Sequence, residues 1–172
     1  MKPRILVVDD TQELAQGVAL VLQELADDIA VAHSGNEALE LMQAHPADIV
    51  LTDVRMPGLD GTELLTQVRA RWPRAQVILL TAYGNVSAAV AAMQHGAFHY
   101  LTKPFDNEEL LQVVQRAWQA LVDRDEVVAL RSELAKGESF HGIVSRDPRM
   151  LNALTTVRKA GQAISGSPAA RT

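Results

Sequence analysis

Short apolar runs rich in β-branched residues recur along the first part of this chain, and they limit its fold more than any other feature. The five runs are Ile5–Val8, Ile29–Ala32, Ile49–Thr52, Val77–Leu80 and His99–Thr102. Three of the five are apolar almost throughout, which is typical of strands that are buried on both faces. A parallel sheet covered by helices on both sides is therefore predicted.

The segments between these runs carry helix-start signals. In four places a capping residue is followed three positions later by a glutamate that can reach back to the helix start. These pairs are Asp10 with Glu13, Ser34 with Glu37, Asp60 with Glu63 and Asp106 with Glu109. Strand and helix alternate five times by about residue 120, which predicts an α/β fold with a doubly wound, five-stranded parallel sheet.

The last predicted helix is longer than the sheet requires. Neither proline nor glycine occurs from Asn107 to Lys136, and at about 1.5 Å per residue this segment would be roughly 40 Å long. Apolar residues recur along it near heptad spacing, and they include Leu121 and Val128. We expect both of these side chains to lie beyond the sheet and to need a partner, and we expect Gly137 to end the helix.

The formal charge of −5 is divided unequally along the chain. Residues 1–138 carry 11 Lys and Arg against 20 Asp and Glu, whereas residues 139–172 carry five basic residues against Asp147. The change of sign predicts a domain boundary near Gly137. Because an acidic surface repels phosphate, we expect no nucleic acid to bind the first part of the chain.

Composition and hydropathy exclude several classes of protein. The chain has no cysteine, which excludes disulfides, thiol catalysis and thiolate metal sites and is consistent with a reducing cytoplasm. No apolar run approaches the roughly 18 residues of a membrane span, and the acids Asp9 and Asp10 interrupt any signal-peptide pattern. We therefore expect a cytoplasmic protein without a membrane segment.

Polar residues follow four of the five predicted strands. Asp9 and Asp10 follow the first strand, Asp53 follows the third, Thr81 the fourth and Lys103 the fifth. Taken singly, each has an ordinary structural interpretation as a helix cap, a loop acid, a strand-end hydroxyl or a solvated charge. Because ligands bind where the carboxyl ends of parallel strands meet, we expect these side chains to converge at one edge of the sheet.

Together these side chains suit phosphoryl transfer. Three crowded carboxylates are tolerated only beside a cation, and oxygen ligands without cysteine or paired histidine favour Mg²⁺. The metal and the Lys103 ammonium would offset charge on a phosphoryl group transferred to Asp53. Thr81 would hydrogen-bond that group.

Four motifs give the chain a specific resemblance to a known family. They are Ile5–Asp10, Leu51–Gly61, Leu80–Gly84 and Tyr100–Phe105. Residues 1 to about 120 resemble the receiver domain of bacterial two-component response regulators, with every family motif in order. The resemblance implies a flavodoxin-like receiver fold and a signalling module rather than an enzyme.

The resemblance also implies a role for each residue of the site. Asp53 would accept a phosphoryl group from a sensor histidine kinase. Asp10, Asp53 and the backbone carbonyl of Arg55 would hold Mg²⁺. Asp9 would act through a metal-bound water, and Lys103 would contact the phosphate.

Further residues match family positions around the phosphoryl group. Ala82 is small, as the family requires at that position. Thr81 and Tyr100 match the pair through which receivers switch, in which the hydroxyl moves toward the phosphate and the aromatic ring turns inward. The bond between Lys103 and Pro104 is the candidate for the cis peptide often found in the family.

The residues of Gly84–Tyr100 narrow the resemblance to receivers of enhancer-binding, NtrC-type transcription activators, which couple to a ring-forming ATPase. Within this segment we expect Asn85 to cap the fourth helix. Phe140–Met150 resembles the beginning of that ATPase domain, although no Gly-x-x-x-x-Gly-Lys-Ser/Thr phosphate loop occurs in the chain. We predict a receiver domain over 1–120, a helical linker able to form a coiled coil over 121–138, and a truncated start of an AAA+ ATPase domain over 139–172.

The parent protein is expected to contain the ATPase and DNA-binding domains and to form a homodimer through the linker helix. Two alternatives stay open. A freestanding receiver would act only by docking on partner proteins, and an aspartyl-nucleophile phosphatase would use the same magnesium chemistry. Such phosphatases usually have a second acid two residues after the nucleophile, where this chain has Arg55.

Overall fold

Parallel strands form the centre of the structure. The computed structural model describes residues 2–82, 84 and 86–139, and it describes the side chains through residue 133. Within this part of the chain the strands are β1 (Arg4–Val8), β2 (Asp28–Ala32), β3 (Ile49–Asp53), β4 (Gln76–Thr81) and β5 (His99–Thr102). They form one sheet in the order β2-β1-β3-β4-β5, and every neighbouring pair is parallel. The predicted doubly wound, five-stranded parallel sheet is confirmed.

Helices cover both faces of the sheet. They are α1 (Gln12–Leu22), α2 (Gly35–Ala44), α3 (Gly61–Arg71), α4 (Val86–Gln94) and α5 (Asn107–Ser139). One apolar layer lies between the sheet and α1 with α5, and the other lies between the sheet and α2, α3 and α4. Successive residues of β1 enter opposite layers, which explains why the strand runs are apolar without alternation.

The strand order places the functional edge of the sheet. The chain passes from β1 to β2 on one side and then crosses to β3 on the other, so β1 and β3 are neighbours at the point where the winding direction reverses. Val8 pairs with Thr52 in this register. Asp9 and Asp53, the next residue of each segment, therefore emerge side by side at the carboxyl edge, where ligands bind in such sheets.

The predicted helix starts are confirmed in part. Ser34 caps α2 through Glu37, and Asp60 forms a complete capping box with Glu63 at the start of α3. The prediction that Asp10 caps α1 is wrong, because the N-cap residue is Thr11 and its side chain makes no capping hydrogen bond. The Thr11 N–H instead donates to the Asp9 carboxylate. Asn85, the predicted cap of α4, lies outside the described residues.

Helix α5 follows the sheet further than expected. Leu121 is fully buried in the same apolar layer as Leu110 and Val114, so the expectation that it lies beyond the sheet is wrong. The apolar stripe at helical spacing simply continues for another turn. Val128, in contrast, is 59% exposed.

The far part of α5 also differs from the prediction. Gly137 does not end the helix, which continues to Ser139. The first compact unit of the chain ends at Glu126, and within that unit an exposed ion pair joins Asp125 of α5 to Arg74 in the loop before β4. No helix among the described residues combines the length and the apolar character needed to cross a membrane.

Two helical glycines offer a test of how closely α3 packs on β3. A methyl group on Gly61 would overlap the Asp53 carbonyl oxygen, whereas a methyl group on Gly17 of α1 would meet nothing. We expect Gly61→Ala to lower the free energy of unfolding by about 1–3 kcal/mol through overpacking. Gly17→Ala should raise it by roughly 0.5–1 kcal/mol through helix propensity.

Urea unfolding of the two variants beside the parent measures both changes. If Gly61→Ala were as stable as Gly17→Ala, the close approach of α3 to β3 would be contradicted.

Candidate functional site

Four strands deliver polar side chains to the carboxyl edge of the sheet. Asp9 directly follows β1 and Asp53 is the last residue of β3. Thr81 ends β4, and Lys103 follows β5. The Lys103 N–H donates to the Thr81 carbonyl over 2.6 Å, which extends the pairing of β4 and β5 into the site. The predicted convergence of Asp9, Asp53, Thr81 and Lys103 is therefore seen in the structure.

An ammonium group joins the two buried acids of the site. Lys103 Nζ donates to Asp9 Oδ2 at 2.7 Å and to Asp53 Oδ1 at 2.6 Å. Asp9 is only 3% exposed and Asp53 only 7%. Because buried carboxylates are costly unless they are paired, this bridge offsets the cost of placing the two acids side by side.

The remaining oxygen of each carboxylate is held by the backbone. Asp9 Oδ1 accepts from the Thr11 N–H at 2.9 Å, and Asp53 Oδ2 accepts from the Arg55 N–H at 2.8 Å. Each buried acid thus has one charged partner and one amide partner. Both carboxylates are consequently fixed in orientation before any ligand binds.

The Lys103 ammonium keeps its charge in this position. Partial burial by itself lowers the pKa of Lys103, but hydrogen bonds to Asp53 and Asp9 outweigh that effect and hold the pKa above its ordinary value. Lys103 therefore presents a positive charge to the edge of the sheet throughout the neutral pH range.

Asp10 does not join the other two acids. It lies exposed beside the buried Asp9. Among the described residues, no three His, Asp or Glu side chains converge closely enough to hold a metal ion. The structure therefore brings together two of the three predicted carboxylates, and they converge on Lys103.

The donor set nevertheless fits a hard divalent cation. Asp9, Asp10 and Asp53 carry three negative charges and Lys103 one positive charge, which leaves two negative charges to offset. All of the nearby donors are oxygen atoms, the ligand type that Mg²⁺ prefers. Two further oxygen ligands are adjacent in sequence: the exposed carboxylate of Asp10 follows Asp9, and the backbone carbonyl of Arg55 is two residues after Asp53.

The other predicted residues lie around this centre. Thr81 is buried, and Ala82 follows it on the surface. Tyr100 of β5 is half-buried against the apolar layer that contains α4. The peptide bond between Lys103 and Pro104 is cis, as the family resemblance implies.

Two contacts of the site were not predicted from the sequence. Thr11 donates its N–H to the Asp9 carboxylate, and the ring of His33 lies 3.3 Å from the Asp9 carbonyl oxygen. His33 follows β2, so the carboxyl-edge rule applied to that strand would have found it. Nothing in the sequence distinguishes the Thr11 amide, because every residue except proline has one.

The fold and the polar carboxyl edge define an α/β receiver-type domain, and comparison with known proteins gives the family. Residues 5–115 match the response regulator receiver domain, and the chain belongs to this family. It is 36% identical over 149 residues to the regulatory protein AtoC of Escherichia coli, covering 87% of this chain and 32% of AtoC. It is 40% identical over 111 residues to the DNA-binding transcriptional regulator NtrC of Klebsiella pneumoniae, covering 64% of this chain and 24% of NtrC.

Solved structures agree with this assignment. NtrX of Brucella abortus superposes with a TM-score of 0.71 at 30% identity, over 76% of this chain and 30% of NtrX. A CheY-like receiver domain of Methanospirillum hungatei superposes with a TM-score of 0.68 over 72% of this chain and 99% of that domain, and at 24% identity it supports the fold alone. The predicted resemblance to receivers of NtrC-type regulators is confirmed. The chain spans between 24% and 32% of the length of these curated relatives.

Removing the bridging ammonium should destabilise the fold. Lys103→Met removes the charged partner of both buried acids, and we expect the free energy of unfolding to fall by about 1.5–3 kcal/mol, the usual value of a hydrogen bond to a charged group. Lys2→Met, at an exposed lysine, should change it by less than about 0.5 kcal/mol.

Chemical denaturation at neutral pH, with Mg²⁺ chelated, measures both variants. Equal stability of Lys103→Met and Lys2→Met would show that the bridge does not hold the acid pair.

Proposed function

We propose that this chain is a phospho-accepting receiver that takes a phosphoryl group on Asp53 from a sensor histidine kinase in the presence of Mg²⁺. The observation that carries the proposal is the setting of the Asp53 carboxylate. It is buried at the carboxyl edge, with Lys103 on one oxygen and the Arg55 amide on the other. Family membership supports the same role, because receiver domains are signalling modules.

The transfer exchanges one phosphorus bond for another. A carboxylate oxygen of Asp53 forms a bond to phosphorus as the bond from phosphorus to the donor histidine nitrogen breaks, and the electron pair stays on that nitrogen. Lys103 is placed to offset negative charge on the phosphoryl oxygens, because its ammonium already contacts Asp53. The buried hydroxyl of Thr81 is the further donor that we assign to the same group.

Mg²⁺ would be held by Asp10, Asp53 and the backbone carbonyl of Arg55, with Asp9 acting through a metal-bound water. When bound, the cation supplies charge neutralisation for the phosphoryl oxygens. The chain's own contribution is to keep two carboxylates ionised and oriented, through Lys103 and two backbone amides.

We assign the response to phosphorylation to Thr81 and Tyr100. Thr81 ends β4 at the site, and Tyr100 lies on the neighbouring strand β5, two residues before its end. A displacement of the Thr81 hydroxyl toward the phosphoryl group would leave space for the Tyr100 ring beside the layer that contains α4. The small side chain of Ala82 keeps the approach to Asp53 open.

The donor is proposed to be a protein because an apolar groove adjoins the acid site. A cavity of about 490 Å³ runs from Asp9 and Lys103 along α1 to the start of α5. Its apolar lining includes Leu14, Val18 and Phe105. A helix of the kinase that carries the donor histidine would bury this surface while it presents the histidine to Asp53. Transfer from such a kinase implies a cytoplasmic location.

The output is proposed to be control of an attached transcription-activating ATPase. AtoC and NtrC are regulators several times longer than this chain, and NtrC is named as DNA-binding. We assign residues 1–120 to the receiver, 121–138 to the linker and 139–172 to the start of the ATPase domain, of which 140–172 lie outside the described residues. The greater length of the relatives favours this function over a freestanding receiver, and receiver-family membership favours it over a phosphatase.

Phosphorylation at Asp53 has a direct test. With acetyl phosphate and Mg²⁺, intact mass spectrometry should show a single phosphate adduct, because the proposal assigns one acceptor, Asp53, whose buried carboxylate has the Lys103 ammonium beside it. Chelating the metal or introducing Asp53→Asn should abolish the adduct, and Asp123→Asn on the exposed face of α5 should not. An adduct that persists in Asp53→Asn would refute the assignment.

We further propose that the chain forms a homodimer through the linker part of α5. Val127, Val128 and Leu130 are 45%, 59% and 53% exposed. Full burial of such a side chain from water is worth about 1.5–3 kcal/mol, and roughly half of that is still to be gained here, so a second copy of the helix would stabilise them. Leu121 contributes nothing to this surface because it belongs to the core.

Sedimentation at several protein concentrations tests the dimer. We expect reversible dimerisation that Val128→Lys weakens by roughly tenfold or more, since a buried lysine at a helix seam loses its hydration. Leu20→Lys, at an exposed leucine of α1, should leave the association unchanged. A strict monomer at every concentration would contradict this part of the proposal.

A further inference from the structure

His33 is a polar residue at the same edge of the sheet that the mechanism above does not use. It follows β2, the strand next to β1, and its ring Nδ1 is 3.3 Å from the Asp9 carbonyl oxygen. We propose that His33 is a positioning residue for the Mg²⁺ site, which holds the peptide group between Asp9 and Asp10. The inference rests on the proposed function, since it concerns the metal site assigned there.

The direction of this contact follows from the acceptor. A carbonyl oxygen can only accept, so Nδ1 must carry the hydrogen. The Asp9 N–H in turn donates to the Ala32 carbonyl at 3.1 Å. Both backbone groups of Asp9 are thus bonded to consecutive residues at the end of β2. The His33 ring takes the place of a backbone donor and extends the β1–β2 pairing by one step.

His33 is itself fixed by the first turn of α2. Its backbone N–H donates to Glu37 Oε2 at 2.7 Å, and the Glu37 N–H donates to Ser34 Oγ at 3.2 Å. The helix cap therefore anchors the residue whose ring contacts the acid loop. His33 is exposed, but its backbone is bonded to the first turn of α2, which fixes the residue at the end of β2.

The hydrogen bond from His33 matters more for the position of Asp10 than for that of Asp9. The Asp9 carboxylate is already held by Thr11 and Lys103. The Asp9 carbonyl belongs to the peptide group that leads into Asp10, whose side chain is exposed. When that peptide group is fixed, the backbone of Asp10 is fixed as well. Only the rotation of the Asp10 side chain then remains to be ordered when Mg²⁺ binds.

Two amide substitutions separate this role from a general structural one. The Asn side-chain nitrogen occupies the position of the histidine Nδ1, whereas that of Gln lies one carbon further out. His33→Asn should therefore keep the hydrogen bond to Asp9, and His33→Gln should lose it. His45→Gln, at an exposed histidine that ends α2, is the matched control.

Titration calorimetry with MgCl₂ and amide hydrogen exchange without metal give two readouts in the full chain. We expect His33→Gln to bind Mg²⁺ about tenfold more weakly, which is the usual effect of removing a residue that orients a metal ligand. The affinities of His33→Asn and His45→Gln should be close to that of the parent. Exchange of the Asp9 amide should be faster in His33→Gln alone.

The inference is overturned if His33→Gln matches the parent in both readouts, if His33→Asn fails to restore them, or if the parent binds no Mg²⁺. A different result would refute the proposed function. A parent that binds Mg²⁺ with the expected dependence on His33 but takes up no phosphate would refute phospho-acceptance and leave the positioning role intact.

Discussion

The Lys103 bridge between Asp9 and Asp53 is the interaction on which the site depends. Two buried carboxylates side by side repel each other, and neither is surrounded by water that could screen the repulsion. A single ammonium within hydrogen-bond distance of both offsets that repulsion. In the proposed function the same ammonium contacts the phosphoryl group on Asp53.

This bridge is a product of topology. Asp9, Asp53 and Lys103 are far apart in sequence, and they meet because parallel strands bring their carboxyl ends to one edge. The reversal of winding between β1 and β3 places the two acids at the ends of neighbouring strands, and Lys103 directly follows β5. The backbone amides of Thr11 and Arg55 complete the arrangement with donors that any residue but proline could supply.

Much of this could be predicted from the sequence. Unbroken apolar runs indicate a buried parallel sheet, and the rule for carboxyl ends then finds Asp9, Asp53, Thr81 and Lys103. The errors have physical causes. Asp10 is a residue type that commonly caps helices, but α1 begins one residue later, with Thr11 as its N-cap residue. Leu121 has heptad spacing from Val128, yet the spacing along a helix does not show where the sheet beneath it ends.

Asp53 is the residue that we propose to carry the phosphoryl group. Borohydride reduces an acyl phosphate to an alcohol, so it converts a phosphorylated aspartate into homoserine at the modified position. After phosphorylation of the chain with a small-molecule donor and Mg²⁺, borohydride treatment and peptide mass spectrometry should find homoserine at position 53 alone. Homoserine at position 9 or 10, or a phosphate adduct that yields no homoserine, would show that Asp53 is not the phosphorylated residue.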